Sequence, residues 1–253
     1  MAKITSISNQ KGGVGKTTTC VNLSSYLASM GKRTLMVDID PQGNATTGVG
    51  IEKTKLKKNT YHLLMKDYSS PDELIHPTGI ENLYIIPSSI DLAGAEIELV
   101  NLPQRDRMLA GELKKFSDSF DFIFIDCPPS LGLLTINALA ASDSVLIPIQ
   151  AEFYALEGLS QLMNTIRLVI KHLNPKLTLE GVVLTMYDNR SLISRQISDE
   201  IKKFFDTKMY EVKIPRNVRL SEAPSHGVPI NIHDPRCAGA FAYEELAREF
   251  LSR

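Results

Sequence analysis

Hydrophobic positions along this chain fall into blocks of two kinds, separated by polar stretches that carry glycine and proline. Blocks of the first kind are short and read as strands: Ile4–Ile7, Thr34–Asp38, Leu83–Ile86, Phe122–Asp126, Ser144–Pro148 and Glu180–Thr185. Thr34–Asp38 is too continuously apolar for a sheet wetted on one face, and suits a parallel strand covered by helices on both sides. Blocks of the second kind space their apolar residues at helical intervals: Cys20–Leu27, Ala93–Leu99, a stretch from about Arg105 to Phe116, Leu133–Ala141, the long amphipathic Leu156–His172 and Gly239–Leu251. Gly31 reads as the stop of the first helix, and Asp72 to Ile75 as the opening of a short one. In the last helix Phe241, Leu246, Phe250 and Leu251 lie among Glu244, Glu245 and Glu249, which predicts a core-docked segment. Strands alternate with helices, the order that builds a mostly parallel sheet. No repeat, low-complexity segment or linker breaks the pattern, so one domain over residues 1–253 is expected.

Composition changes this picture little. Of the 253 residues, 43% are hydrophobic and 23% charged, ordinary for a globular protein with a sizeable core. The net charge of −1 means that any binding to nucleic acid must come from a local patch or from pairing of two chains. Cys20, Cys127 and Cys237 are odd in number and widely spaced, which argues against disulfides and a structural zinc site. The chain enters its first strand at once, with no room for a signal peptide, and no apolar run approaches a membrane span. A reducing cytoplasm fits these features.

Candidate chemistry is concentrated after the first strand, in Ser8-Asn9-Gln10-Lys11-Gly12-Gly13-Val14-Gly15-Lys16-Thr17-Thr18-Thr19. Strand, glycine-rich loop and helix form the context that a phosphate-binding loop requires. The glycines let backbone N–H groups turn inward around phosphate oxygens, and the helix start adds partial positive charge. Lys16 is placed to reach the β- and γ-phosphates, and the Thr17 hydroxyl to bind Mg²⁺. The fold class this implies is α/β: a phosphate-loop NTPase in three layers, its mostly parallel twisted sheet flanked by helices. Phe122–Asp126 has the Walker B form, a buried strand delivering Asp126 beside the metal. Asp38 and Asp40 stand at the carboxyl end of the second strand, where open α/β sheets bind ligands. Cys127 reads as a small packing residue, with no base beside it. Lys53, Lys55, Lys57 and Lys58 read as solvated surface.

From Tyr187 to Arg219 eight basic residues face five acidic ones, a local balance of +3. Charge alone leaves two readings open, a charged helix with solvated faces or a patch for phosphates.

The string K-G-G-V-G-K-T-T departs from the common phosphate loop, with Gln10 at the position of its first glycine and a second lysine, Lys11. It resembles the deviant Walker A motif of the ParA/MinD ATPase superfamily, and V-D-x-D-P-Q, D-C-P-P-S and the stretch Ile214–Ser225 resemble the switch and base-binding motifs of that family. The resemblance covers nearly the whole chain and is nearest to the small chromosomal partition ATPases. It implies an ATPase with ATP and Mg²⁺ as cofactors. By that resemblance Lys11 is the signature lysine, reaching nucleotide held by a partner subunit. Gly12, Gly13, Val14, Gly15, Lys16, Thr17 and Thr18 cradle the phosphates; Asp40 orients the attacking water; Asp38 lies near the metal in a supporting role. Pro215, Arg216, Asn217 and Val218 become candidate adenine contacts, and Arg190 and Arg219 candidate DNA contacts. The implied cycle is ATP-driven homodimerisation, sequence-independent binding to double-stranded DNA, and release when a ParB-like centromere-bound partner stimulates hydrolysis. Residence on the nucleoid follows from it. A membrane-associated positioning ATPase of the MinD type is the alternative; the basic apolar C-terminal extension it needs is missing from the sequence.

Overall fold

A computed structural model of the chain describes residues 1–152 and 155–253. Its strands are β1 (Lys3–Ile7), β2 (Thr34–Asp38), β3 (His76–Pro77), β4 (Leu83–Ile86), β5 (Phe122–Asp126), β6 (Ser144–Gln150), β7 (Thr178–Tyr187) and β8 (Met209–Pro215). Its helices are α1 (Lys16–Ser29), α2 (Asn44–Gly48), α3 (Thr60–Met65), α4 (Leu92–Leu99), α5 (Met108–Leu113), α6 (Leu133–Ala141), α7 (Ala155–His172), α8 (Leu192–Phe205), α9 (Val218–Glu222), α10 (Ile230–His233) and α11 (Ala238–Ser252). The strands form one sheet in the order β3-β4-β2-β5-β1-β6-β7-β8, parallel throughout except for the short edge strand β3. This is the three-layer α/β sheet that the alternation of blocks predicts.

Alternating side chains of each strand feed opposite layers, because successive residues of a strand point to opposite faces. Met36 and Phe124 join one core with Leu23 and Leu27 of α1 and Leu246 and Phe250 of α11. Leu35, Val37, Ile123 and Ile125 join the other, with residues of α3 to α6. Val145, Ile147, Val182 and Leu184 continue that second layer under α7 and α8. A strand buried on both faces has no polar side to show, which is why these segments read as runs rather than alternations.

Three expectations need correction. The helix expected from about Arg105 to Phe116 shrinks to Met108–Leu113. Gln104 takes a positive φ of 56°, and Asn137 of α6 supplies the cap from outside, accepting from the Leu109 N–H and donating to the Arg105 carbonyl. The helix opened by Asp72 is one 3-10 turn, Pro71–Glu73, started by Ser70 and ended by the burial of Leu74. In α11 only Leu246 and Phe250 of the four apolar residues are buried; Phe241 and Leu251 are exposed, because the helix docks a single stripe.

The topology positions the site. From β1 the chain moves outward to β2 and the edge strands β3 and β4, returns to β5 beside β1, and then runs the other way through β6 and β7 to β8. Ligands of open parallel sheets bind beyond the carboxyl ends of the strands at such a reversal. Ile7, Asp38 and Asp126 are register neighbours there, so the loop after β1 and the two carboxylates converge without help from side-chain reach.

Candidate functional site

The loop from Ser8 to Gly15 turns on two left-handed glycines, Gly13 (φ 73°) and Gly15 (φ 84°), a conformation L side chains adopt only with strain. Gly15 is the N-terminal cap residue of α1, and the first turn of α1 carries no acid, which leaves its amides and dipole free to face an anion. Val14 points into the core, and its carbonyl accepts from the Thr185 hydroxyl at 2.8 Å, fixing the loop on β7. Asn9 braces the other side, donating to the Pro148 carbonyl and accepting from the Lys11 N–H.

A cavity of about 690 Å³ opens over this loop, lined by Gly12, Gly13, Gly15, Lys16, Thr17 and Thr18 on one wall and by Asp40 and Asn44 on another. Lys16 is buried, and its ammonium donates to the Lys11 carbonyl at 2.9 Å. Burial pulls its pKa down, opposed by the negative charge of Asp126. Asp126 is fully buried, and neither carboxylate oxygen has a hydrogen-bond partner. Desolvation, then the charge of Asp38, pushes its pKa well above the carboxylate range; the Thr17 hydroxyl lies near enough to oppose this without making a hydrogen bond. Leaving a buried carboxylate unpartnered costs free energy unless something else completes it.

Asp38 is the opposite case. Its Oδ2 accepts from the Thr46 amide (2.8 Å) and hydroxyl (2.7 Å), and its Oδ1 from the Asp40 amide (3.2 Å). Burial still raises its pKa to about 6. With both oxygens engaged, Asp38 organises the loop that carries Asp40. Asp40 is 6% exposed, lines the cavity, and accepts from the Gln42 N–H at 3.0 Å.

The donor set formed by Lys16 and Thr17 on the cavity and Asp126 buried behind them fits a magnesium–nucleotide pair. Among the described residues no three acids, histidines or cysteines form a cage for a metal. Mg²⁺ in nucleotide sites is held by one or two carboxylates together with phosphate oxygens and water, and the unsatisfied Asp126 beside Thr17 offers that. Cys127 is buried, its thiol pushed far up by desolvation, which suits packing and not catalysis.

The outer residues are placed less uniformly. The Lys11 ammonium forms an ion pair with Glu152 of its own chain, both side chains being a little over one-third exposed. Pro215, Arg216 and Asn217 line a smaller neighbouring cavity of about 320 Å³ that shares Gly15, Thr18 and Met186 with the larger one. Val218 is 70% exposed and lines neither. The Asn217 side chain is used as a helix cap, its oxygen accepting from the Arg219 N–H at 2.8 Å. Ser221, Ala223, Pro224, Val228 and Pro229 line the larger cavity instead, further along the same stretch than expected. Arg190 forks onto Asp188 (3.1 and 3.2 Å), and Arg219 onto Glu222 (2.8 Å) and Asp234 (3.5 Å). Lys53 is not simply solvated: it lines the larger cavity and donates to the Gln42 carbonyl at 2.7 Å.

Comparison with known proteins accords with this geometry. Residues 2–179 match the family model described as an AAA domain. The chain is 59% identical over 249 residues to the sporulation initiation inhibitor protein Soj of Bacillus subtilis, covering 98% of both chains. It is 52% identical over 253 residues to the chromosome partitioning protein ParA of Myxococcus xanthus, covering 100% of this chain and 89% of that protein. Among solved structures, a Mycobacterium smegmatis protein described as cobyrinic acid a,c-diamide synthase, crystallised with ADP and magnesium, superposes with a TM-score of 0.86 at 35% identity, covering 99% of this chain and 94% of that one. With a deviant phosphate loop, two strand-end carboxylates and these relatives, the chain belongs to the ParA/MinD superfamily of ATPases, among its Soj-like chromosome-partitioning members.

Proposed function

We propose that this protein is a chromosome-partitioning ATPase, working as one ATPase domain, that hydrolyses ATP with Mg²⁺ at the cavity over the phosphate loop. The observation that carries the reading is Asp126: a fully buried carboxylate with two unpartnered oxygens, in the field of Lys16 and Thr17, which line an open cavity. Such a group is costly in an empty structural core and useful where a cation completes it. Thr17 and Asp126 would hold the metal, Asp126 directly or through water. Bound Mg²⁺ supplies neutralising charge to the phosphate oxygens. Lys16, already desolvated, adds a fixed positive charge where negative charge builds up during transfer. The amides of Gly12 to Thr18 position the phosphates, and Asp40, held by Asp38 and Gln42 on the facing wall, orients the attacking water.

The positions of the cations support a reading of the partners. Lys11, next in sequence to the cavity-lining Gly12, would exchange Glu152 for a phosphate presented by a second subunit, so ATP would close two copies into a sandwich dimer. Arg190 and Arg219 would exchange their own acids for DNA phosphates. A dimer doubles these contacts, which gives sequence-independent, salt-sensitive affinity. A ParB-like centromere-bound partner would then stimulate hydrolysis and release the dimer, and the protein would reside in the cytoplasm on the nucleoid. Among the described residues no helix is long and apolar enough to cross a membrane.

The test is phosphate release, followed with Mg²⁺ or with chelator and with or without duplex DNA, alongside flotation with anionic vesicles. Magnesium-dependent turnover, ATP-dependent DNA binding and no flotation are expected. Vesicle binding in place of DNA binding would move the protein to the membrane-positioning reading.

A further inference from the structure

We infer that Lys53 is a positioning residue for Asp40, acting through the backbone turn at Gln42 and Gly43. The inference rests on the reading of Asp40 as the residue that orients the attacking water.

The loop that carries Asp40 is pinned at its two ends by different means. At the buried end Thr46 satisfies Asp38, and the Ser88 amide donates in turn to the Thr46 hydroxyl at 2.9 Å. The other end is a tight turn: the Gly43 N–H donates to the Asp40 carbonyl at 2.8 Å, and the Gln42 N–H to Asp40 Oδ1 at 3.0 Å. The Gly43 carbonyl accepts from the Thr47 amide at 3.1 Å and hydroxyl at 3.2 Å, which leaves the Gln42 carbonyl as the outward corner of the turn. Lys53, eleven residues on in a single 3-10 turn (Lys53–Lys55), donates its ammonium to the Gln42 carbonyl at 2.7 Å. The peptide unit between Gln42 and Gly43 is therefore bonded at both ends, accepting from a cation and donating to the Asp40 main-chain carbonyl, while the peptide before it donates to the Asp40 carboxylate. Such chained hydrogen bonds polarise and strengthen one another.

The fit is close. Gly43 takes a φ of 60°, and a Cβ there would stand 2.8 Å from the Lys53 Cδ and 3.0 Å from the Ser88 carbonyl. The absence of a side chain at Gly43 is what lets the lysine stem cross the turn. Lys53 also lines the cavity that Asp40 lines. The neighbouring lysines differ: Lys55 pairs with Glu52 and Lys58 with Asp67, on the surface. Without the ammonium the Gln42 carbonyl turns to water, and the Gln42 corner, whose N–H holds the Asp40 carboxylate, loses one of its restraints while Thr47 still holds Gly43. The contact lies at the surface, so it contributes little to global stability. Its effect is on where one carboxylate points.

The experiment compares Lys53→Met, which keeps the stem and removes the donor, with Lys53→Arg, each in the wild-type and the Asp40→Ala backgrounds. Turnover under saturating ATP, ATP affinity by calorimetry and melting temperature are measured for each. Lys53→Met should lower kcat by roughly tenfold, since misplacing a catalytic group by as little as 1 Å can cost about a hundredfold. ATP affinity and melting temperature should stay near wild type, Lys53→Arg should recover most of kcat, and Lys53→Met should add nothing to the loss caused by Asp40→Ala. A Lys53→Met protein with undiminished kcat overturns the inference, as does a loss just as large on top of Asp40→Ala. Should Asp40→Ala alone turn over normally, the reading of Asp40 fails, and that result is distinct because it needs no change at Lys53.

Discussion

The charged groups at the phosphate loop and those of the arc from Tyr187 to Asp234 are treated in opposite ways. At the loop, Asp126 is buried with no hydrogen-bond partner, and Lys16 is buried against a carbonyl with no carboxylate in salt-bridge contact among the described residues. In the arc every candidate DNA cation already has an acid: Arg190 has Asp188, and Arg219 has Glu222 and Asp234. Lys11, next in sequence to the cavity-lining Gly12, is likewise parked on Glu152. A group kept unpaired in a desolvated site is ready for its ligand, at a cost to the stability of the empty protein. A group parked on a neighbouring acid must trade partners, so it engages weakly and reversibly. The first arrangement suits tight binding of a small anion with its metal, and the second suits a surface that must let go.

Changes at the loop should therefore have the larger effects. Lys16→Ala should weaken ATP binding by about a hundredfold or more, the scale on which a buried charge loses its partner. Near-normal affinity by calorimetry would remove this loop from the site. Asp40→Ala should still bind ATP and dimerise, while turnover falls by roughly a hundredfold, as expected for a residue that handles the attacking water. If sizing with ATP shows only monomer, Asp40 is structural. Asp126→Asn should abolish magnesium-dependent turnover and yet stabilise the nucleotide-free protein by about 1 kcal/mol, roughly 2–4 °C for a chain of this size. An unchanged or lower melting temperature would mean that the unpartnered carboxylate carries no such cost. In the arc the changes should be small and of opposite sign. Asp188→Asn or Glu222→Gln, which release an arginine, should tighten DNA binding by no more than about fivefold, the scale of exposed ion pairs. Weaker binding in these variants would mean that the acids orient the arginines for DNA.

The same contrast decided what could be read in the sequence. The sheet, the phosphate loop and the carboxylates of β2 and β5 were legible because buried strands and glycine turns leave local patterns. The shortened α5 was not, since its cap comes from Asn137, in the next helix. The cavity wall at Pro224, Val228 and Pro229 was not, because short connecting turns carry no periodicity. Lys53 looked like one of a run of solvated lysines; only the fold of the Asp40 turn separates it from Lys55 and Lys57. The ion pairs of Lys11 with Glu152 and of Arg219 with Asp234 join residues distant in sequence, and no local pattern announces them.

The most direct test of this account is the salt dependence of DNA binding by ATP-loaded Asp40→Ala protein, with and without Arg190→Ala or Arg219→Ala, on unrelated duplexes. Each arginine occurs twice in a dimer, so losing either should make the plot of log affinity against log salt shallower by roughly two, and equally on every sequence. ATP-driven dimerisation should be unaffected. Variants that dimerise and bind DNA with an unchanged slope would contradict the account and place the DNA surface elsewhere.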